Sequence, residues 1–247
     1  MILRRITEHV RAQNWFAVVI EFVIVVVGVF VGLQAQDWST ARAEKKAERA
    51  AIERLIVEYN SNLELLDADK EQSQKTMAAS ERLLAMISPE PTAVVADKAL
   101  AQTILDCLTN PKFVPTLGTT NSLVASGDLR LIGDPEIQRR LTQWPRSAQV
   151  LIEWQEIERH HGEELILGLT FDYLAWPTLL SLLDDANPSS ALESDYQGLF
   201  SNRRFEGLLV NRQYNTLRSL DRIDELAKAT QELVRLLEER LSSLEPA

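Results

Sequence analysis

Residues Trp15 to Trp38 read WFAVVIEFVIVVVGVFVGLQAQDW, an apolar run that holds one acid, Glu21, and has a tryptophan at each end. At about 1.5 Å of rise per residue, a helix over this stretch separates the two indoles by about 34 Å, close to the thickness of a bilayer with its aromatic belts. The stretch is therefore predicted to be a transmembrane helix over residues 15–38, with Trp15 and Trp38 at the two membrane interfaces.

The span separates a basic lead, residues 1–14, from a body over residues 39–247. The lead carries Arg4, Arg5 and Arg11, which favours the cytoplasmic side of a bacterial inner membrane. A strict count of the basic residues that follow the span favours the opposite orientation, but long domains translocate largely regardless of charge. We expect a single-pass inner-membrane protein with a cytoplasmic N-terminus and a periplasmic body. A cleaved signal peptide is the rival interpretation, and the apolar run is longer than such peptides need.

The composition bears on three properties of the chain: its partners, its disulfides and its secondary structure. The formal net charge is −10, and all of this net charge lies in the part after the span, so a nucleic-acid partner is not expected because its phosphates would be repelled. The single cysteine, Cys107, allows no disulfide within the chain. Only 9 glycines and 9 prolines occur among 247 residues, which favours long helices over strands.

The body begins with one long amphipathic helix. No proline or glycine occurs from Ser39 to Ile87, and apolar residues recur there at the 4-3 spacing typical of coiled coils. Lys70 and Ser73 interrupt this apolar seam, which marks a weak point in the packing or the place where a partner helix diverges. Ser88-Pro89 is expected to end the helix because proline disfavours helix in the residue before it.

The remaining elements are predicted to be helices too. A second helix is expected over 93–108, and a short one over 120–125 within the irregular segment 110–133, followed by a turn at Ser126-Gly127-Asp128. A long helix is expected over 135–176 with a kink or break around Pro145. A last helix over 202–244 carries its own 4-3 apolar stripe, with Asp224 and Lys228 as a pair on its polar side. The predicted class is all-α: an N-terminal transmembrane helix that continues into a bundle whose first and last helices pair antiparallel, with shorter middle helices.

Residues 165–183, LILGLTFDYLAWPTLLSLL, form a second apolar stretch. Asp172 near its centre and Pro177 in its second half favour a buried helix of the bundle over a second span.

One face of the predicted span combines an acid with small residues. At about 100° per residue, Glu21, Gly28, Gly32 and Ala35 lie on the same side of a helix. The spacing Gly28-x-x-x-Gly32 allows two helices to approach closely, and an acid inside a bilayer should face protein. This face therefore predicts a homo-oligomer formed through the span, or docking to another membrane protein. Two alternatives for Glu21 stay open. One is a role in proton-coupled transport, and the other is a tolerated acid without a function, whose carboxyl group reaches the lipid headgroups.

No pattern in the body specifies a chemistry. Glu158 and His161 form one Glu-x-x-His pair, but a di-iron bundle needs a second pair, so a solvated helix face is the preferred interpretation. Cys107 lies in an apolar-patterned helix and is expected to be a core residue, as are the three tryptophans of the body, Trp144, Trp154 and Trp176. We therefore expect no enzyme activity and no cofactor.

Two stretches resemble a known family. Ile20-Glu21, Gly28 and Gly32-Leu33-Gln34 followed by Trp38 resemble the N-terminal signature of a group of bacterial single-pass proteins of unknown function. LVASGDLRLI, residues 123–132, is similar to that group's second recurring stretch, although its Val-Ala-Ser-Gly lead-in is less polar than expected. The resemblance implies a helical, membrane-anchored protein and no known activity.

Two functions are compatible with these patterns. The first is a membrane-anchored scaffold or interaction protein that self-associates through its span in the lipid bilayer. The second is a ligand-binding sensor or an enzyme with a pocket around Asp128, Arg130 and Asp172, which requires these polar side chains to converge on one cavity.

Overall fold

The structure is a computed structural model that describes residues 15–89, 94–184 and 189–244. It is all-helical, and no β-strand occurs in the described ranges. The predicted fold class is therefore confirmed. The long helices are α1 (Trp15–Ala85), α4 (Pro135–Arg159) and α8 (Arg203–Ser243). The short helices are α2 (Lys98–Leu108), α3 (Gly118–Ser126), α5 (Leu167–Thr170), α6 (Trp176–Ser181) and α7 (Tyr196–Phe200). A 3₁₀-helix covers Asp128–Leu131, and a π-helix covers His160–Ile166.

Helix α1 joins the apolar stretch to the body without a break. It is 71 residues long, and within the described ranges it is the one helix that is long and apolar enough to cross a membrane by length and composition. The second apolar stretch, 165–183, forms the end of the π-helix and the short helices α5 and α6, so the expectation that it does not span agrees with its structure. It is not the single buried helix that we expected, because residues 171–175 form a turn.

The chain divides into two compact units, Met1–Ala50 and Ala51–Ala247. The second unit contains two hydrophobic cores. The first core is formed mainly by buried residues within 51–66 of α1, 137–151 of α4 and 223–237 of α8. The second core takes residues 79–83 of α1, the residues from Ile166 to Leu179, and 205–209 at the start of α8. Because α1 enters the first core before the second and α8 enters them in the reverse order, these two helices run antiparallel, as predicted.

The helix boundaries follow local sequence signals. Asp97, Asp134 and Asn202 each cap the N-terminus of the helix that follows, by accepting backbone N–H groups. Gly127 adopts φ 76° directly after α3, a left-handed conformation that glycine takes without steric cost, and this ends the helix at the predicted turn. The second helix starts at Lys98 instead of 93, because Asp97 supplies the cap; residue 93 itself lies outside the described residues.

The long middle helix differs most from the prediction. α4 continues through Pro145, and its geometry changes instead at His160, where it becomes a π-helix. The predicted pair of Asp224 and Lys228 is replaced by an ion pair between Lys70 and Asp224, whose Nζ and Oδ1 atoms are 2.7 Å apart. Lys70 therefore links α1 to α8 at the point where the apolar seam is interrupted.

Candidate functional site

The first candidate site is the face of α1 that carries Glu21, Gly28, Gly32 and Ala35. The structure places all four on one continuous helix, and each is exposed. Apart from the backbone of the helix itself and the adjacent residues, no heavy atom of the described residues lies within 4 Å of the position that a Cβ atom would take on Gly28 or Gly32. The described part of the chain therefore leaves open space beside the two glycines, which suits the close approach of a second helix.

The residues that flank this face are also placed on α1. Trp15 is its first residue, and Trp38 is 67% exposed. The guanidinium carbon of Arg42 lies 5.6 Å from the ring centroid of Trp38, within the range of a cation–π contact. The indole at the C-terminal end of the apolar stretch is therefore paired with a cation one turn further along the helix.

The second candidate site is a buried polar stripe further along α1. Glu58, Asn62, Asp69 and Thr76 are all less than 10% exposed, although each carries a polar or charged side chain. Their spacing of four, seven and seven residues places them on one side of the helix. Each residue of the stripe lies one position before a position of the apolar seam, and Ser73 of the seam, also buried, lies beside it.

The polar stripe holds an extended segment that has no regular structure of its own. Residues 109–117 connect α2 to α3, and four side chains of α1 bind this segment or the start of α3 in order. Thr76 donates to the Thr109 carbonyl (3.1 Å), Asp69 accepts the Lys112 N–H, Asn62 pairs with both backbone groups of Thr116 (2.8 Å each), and Glu58 accepts the N–H groups of Thr119 and Thr120. The segment thus runs antiparallel to α1.

The lengths of the two partners match. From Thr76 to Asn62 the helix spans about 21 Å at 1.5 Å per residue. From Thr109 to Thr116 an extended chain spans about 23 Å at 3.3 Å per residue. Pro111 and Pro115 keep the segment out of a helix, since proline removes a donor and restricts the residue before it. Side chains of α1 thus bind backbone groups of this segment, and Gln155 of α4 accepts the N–H of Phe113.

Glu58 supplies a cap that α3 lacks locally. The N-cap position of α3 is Leu117, which makes no side-chain cap bond. Glu58 Oε1 lies 3.0 Å from the Thr120 N and 2.6 Å from its hydroxyl, so a carboxylate from α1 accepts the free donors at the N-terminus of α3. A negative charge at that end also complements the helix dipole.

Arg212 of α8 closes the other end of the connecting segment. It is fully buried, and its guanidinium donates to three backbone carbonyls: Cys107 (3.2 Å), Thr109 (2.8 Å) and Glu158 (2.7 Å). Burial lowers the pKa of Arg212, while the nearby Glu158 charge opposes that shift. One side chain therefore joins α2, the connecting segment and α4 to α8.

The π-helix begins next to this arginine. The Glu158 carbonyl accepts from Arg212 two residues before the π-helix starts, and Gly162 lies inside it. A Cβ atom on Gly162 would lie 3.0 Å from Asn110 Oδ1 and 3.2 Å from the Leu108 carbonyl oxygen, so glycine permits the close approach of the connecting segment. π-helices are rare in proteins, and those that do occur are often found at functional sites.

Glu158 is the least expected residue of this region. It is fully buried, and neither carboxylate oxygen has a hydrogen-bond partner among the described residues. The preferred interpretation of a solvated helix face is therefore wrong for Glu158, although His160 next to the π-helix junction is exposed. His161 Nε2 is likewise buried without a partner, and burial, with the Arg212 charge, lowers the pKa of this histidine. Among the described residues, no group of three or more metal-binding side chains occurs.

The other predicted residues have simple outcomes. Cys107 is buried in the second core, as expected, and burial raises the pKa of its thiol. Trp144 is a core residue, whereas Trp154 and Trp176 are only partly buried.

The residues of the predicted ligand pocket lie in two places. Arg130 and Asp172 are exposed. Leu129, beside Asp128 and Arg130, packs on the first core, whereas Leu174, near Asp172, belongs to the second. The polar residues of the predicted pocket therefore lie beside two different cores.

Sequence reasoning missed the polar stripe. Its signal in the sequence is a second 4-3 spacing, because Glu58, Asn62 and Asp69 each precede a position of the apolar seam by one residue. The interruptions at Lys70 and Ser73 are a different feature, which belongs to the seam itself. The binding of the connecting segment could not be inferred, since it depends on which extended chain lies over the stripe.

These features define an all-helical protein with one candidate membrane span and a body in which a polar helix stripe binds a connecting segment. Comparison of the chain with protein-family models, with curated proteins and with solved structures finds no match in any of the three.

Proposed function

We propose that this chain is a membrane-anchored helical scaffold that self-associates through the face of Glu21, Gly28, Gly32 and Ala35. The observation that carries this proposal is the exposure of the apolar side of α1. The large apolar side chains from Ile20 to Leu33 are 42–68% exposed. Exposed apolar area of this extent is rare on soluble monomers, so lipid and protein are the environments that suit it.

The acid within the apolar stretch favours a protein contact over lipid on one side of the helix. A charged group inside a bilayer costs a few kcal/mol, about 3 on insertion scales, unless it faces protein or water. Glu21 shares its face with the two glycines, where a second helix can come closest. A second copy of this chain brings its own Glu21 to the same contact, and the two carboxyl groups can then share a proton.

The proposed role is architectural and not enzymatic. The buried polar side chains Glu58, Asn62 and Asp69 are engaged in binding backbone groups of the connecting segment or the start of α3. We place the protein in a bacterial inner membrane with a cytoplasmic N-terminus, on the basis of the basic lead. The resemblance to helical single-pass proteins of unknown function supports the same proposal.

Self-association can be tested with the full chain in native-like membranes. Cysteine-free protein (Cys107→Ala) carrying donor and acceptor fluorophores in separate populations is reconstituted into vesicles, and energy transfer is measured as protein is diluted with lipid. Gly28→Ile and Gly32→Ile should each weaken association by about tenfold, because a branched side chain prevents close approach. Phe30→Ile is the matched control, since residue 30 lies on the opposite side of the helix.

The outcomes separate self-association from anchoring. Energy transfer that is lost in both glycine variants and kept in Phe30→Ile supports the proposal. Transfer that is unchanged in all variants, or absent in the wild type at every dilution, contradicts self-association through this face. The circular dichroism of each variant should remain that of the wild type, because Gly28 and Gly32 lie outside the unit formed by Ala51–Ala247.

A further inference from the structure

The helix carries a basic face directly after the apolar stretch. Between residues 37 and 49, four cations of α1 lie within about 100° of arc, on the same side as Trp38, while the three acids of this stretch lie on the other side. Glu53, one turn after Arg49, is the first acid on the side of the cations. The cations are Arg42, Lys45, Lys46 and Arg49, and the acids are Asp37, Glu44 and Glu48. The charges of this part of α1 are therefore sorted by face, although their total nearly cancels.

Three of the four cations are accessible on the surface of α1. Arg42, Lys45 and Lys46 are exposed, and no ion pair involves Lys45 or Lys46 in the described part of the chain. Arg42 lies over the Trp38 ring at 5.6 Å, which directs its guanidinium toward the end of the apolar stretch. An anion that meets this face encounters a stacked arginine beside two lysines.

The positions along the helix correspond to the headgroup layer. With Trp38 at the edge of the hydrocarbon, Arg42 lies about 6 Å and Lys45 and Lys46 about 10–12 Å beyond it along the axis. The headgroup region of a bilayer is of the order of 5–8 Å thick on each side. Lysine and arginine side chains reach back toward the interface by several ångströms, so all three cations reach the lipid phosphates.

We propose that this basic face binds the phosphate groups of anionic phospholipids. The inference rests on the proposed membrane anchor but not on self-association. Arginine forms charge-assisted hydrogen bonds with phosphate, and lysines near the surface of an anionic membrane add Coulomb attraction that extends over roughly a Debye length. A lipid fits better than an acidic protein, because the cationic side chains reach the headgroup layer and the basic face continues directly from the apolar stretch.

The test compares two pairs of lysines. Full-length protein is incorporated into nanodiscs of phosphatidylcholine and phosphatidylglycerol at 7:3, and the lipids retained by the protein are counted by native mass spectrometry. The wild type should retain phosphatidylglycerol over phosphatidylcholine by about tenfold relative to the bulk ratio. Lys45→Gln/Lys46→Gln should reduce this preference to near unity. The control Lys98→Gln/Lys112→Gln removes the same charge from exposed positions of the body and should leave it unchanged.

Each outcome bears on the inference. Loss of the preference in Lys45→Gln/Lys46→Gln alone supports it, and a preference that is absent in the wild type or equal in both double variants overturns it. A fourth sample contains soluble glycerophosphoglycerol in excess. If this headgroup displaces the retained lipid, the face binds free phosphodiesters and the membrane proposal is wrong. Failure of the wild type to enter nanodiscs would instead contradict the membrane anchor itself.

Discussion

The two halves of α1 relate polarity to burial in opposite ways. From Ile20 to Leu33 the exposed side chains are mostly apolar, whereas from Glu58 to Thr76 many of the buried side chains are polar. Both halves belong to a single helix without a proline, and both follow helical spacing. The difference shows that the environment beside each half, and not helix propensity, decides which residues each face carries.

In the second half, polar side chains of α1 form hydrogen bonds with the backbone of the connecting segment. A helix or a strand would form such hydrogen bonds between its own backbone groups or with a neighbouring strand. The connecting segment 109–117 belongs to neither a helix nor a sheet, so its backbone groups need other partners. Asn62, Asp69 and Thr76 bind this segment, and Glu58 binds the start of α3. In the first half, by contrast, the helix satisfies its own backbone and needs only an apolar surrounding. The following predictions test this contrast, from the largest effect to the smallest.

Replacement of Arg212 should cause the largest loss of stability. Arg212→Met keeps the length of the side chain but removes the arginine's hydrogen bonds to the carbonyls of Cys107, Thr109 and Glu158, and it leaves the Glu158 side chain without a nearby cation. We expect a loss of about 3–5 kcal/mol in the free energy of unfolding, measured by urea denaturation in detergent. Arg222→Met, at an exposed position of the same helix, should change it by less than about 0.5 kcal/mol. Equal losses in the two variants would show that the buried arginine has no special role.

Removal of the Glu58 carboxylate should have an intermediate effect. Glu58→Ala deprives the N-terminus of α3 of its cap, and we expect a loss of about 2 kcal/mol. The amides of Thr119 and Thr120 should exchange with solvent faster than in the wild type, which hydrogen exchange can measure. Glu64→Ala removes an exposed acid from the same helix and is the matched control. Unchanged exchange in Glu58→Ala would contradict the capping role.

Asp69 should make stability depend on pH. Burial raises the pKa of Asp69, and the Glu158 charge adds to the shift, while hydrogen bonds from Gln155 and the Lys112 backbone oppose it. Because the folded-state pKa lies above the ordinary value of 3.8, the folded state binds the proton more tightly, so this stabilising contribution is full below that value and is lost as the pH rises through the folded-state pKa.

The matched variant isolates this contribution. The difference in free energy of unfolding between the wild type and Asp69→Asn should move against the wild type as the pH is raised from 4 to 7, because asparagine cannot ionise. Urea denaturation at several pH values gives this difference. An equal pH dependence in the two proteins would show that Asp69 does not titrate with folding.

Much of the fold could be predicted, because it depends on local signals. The long helices, the antiparallel pairing of α1 and α8, and the turn at Gly127 follow from periodicity, proline placement and glycine. The π-helix and the buried Glu158 could not be predicted, since each depends on close packing between distant elements such as Gly162 and Asn110. The same limit applies to the polar stripe, whose residues are unremarkable as a sequence and informative only beside the segment that they bind.

Two valines of α1 allow the most direct test of the membrane environment. Val26 and Val57 are 48% and 71% exposed, so protein covers neither completely. Spin labels at cysteines introduced singly at these positions, in a Cys107→Ala background, are measured in vesicles for collisions with oxygen and with a water-soluble nickel complex. We predict high oxygen and low nickel accessibility at residue 26, and the reverse at residue 57. High nickel accessibility at both positions would show that α1 lies in water and would contradict the membrane anchor.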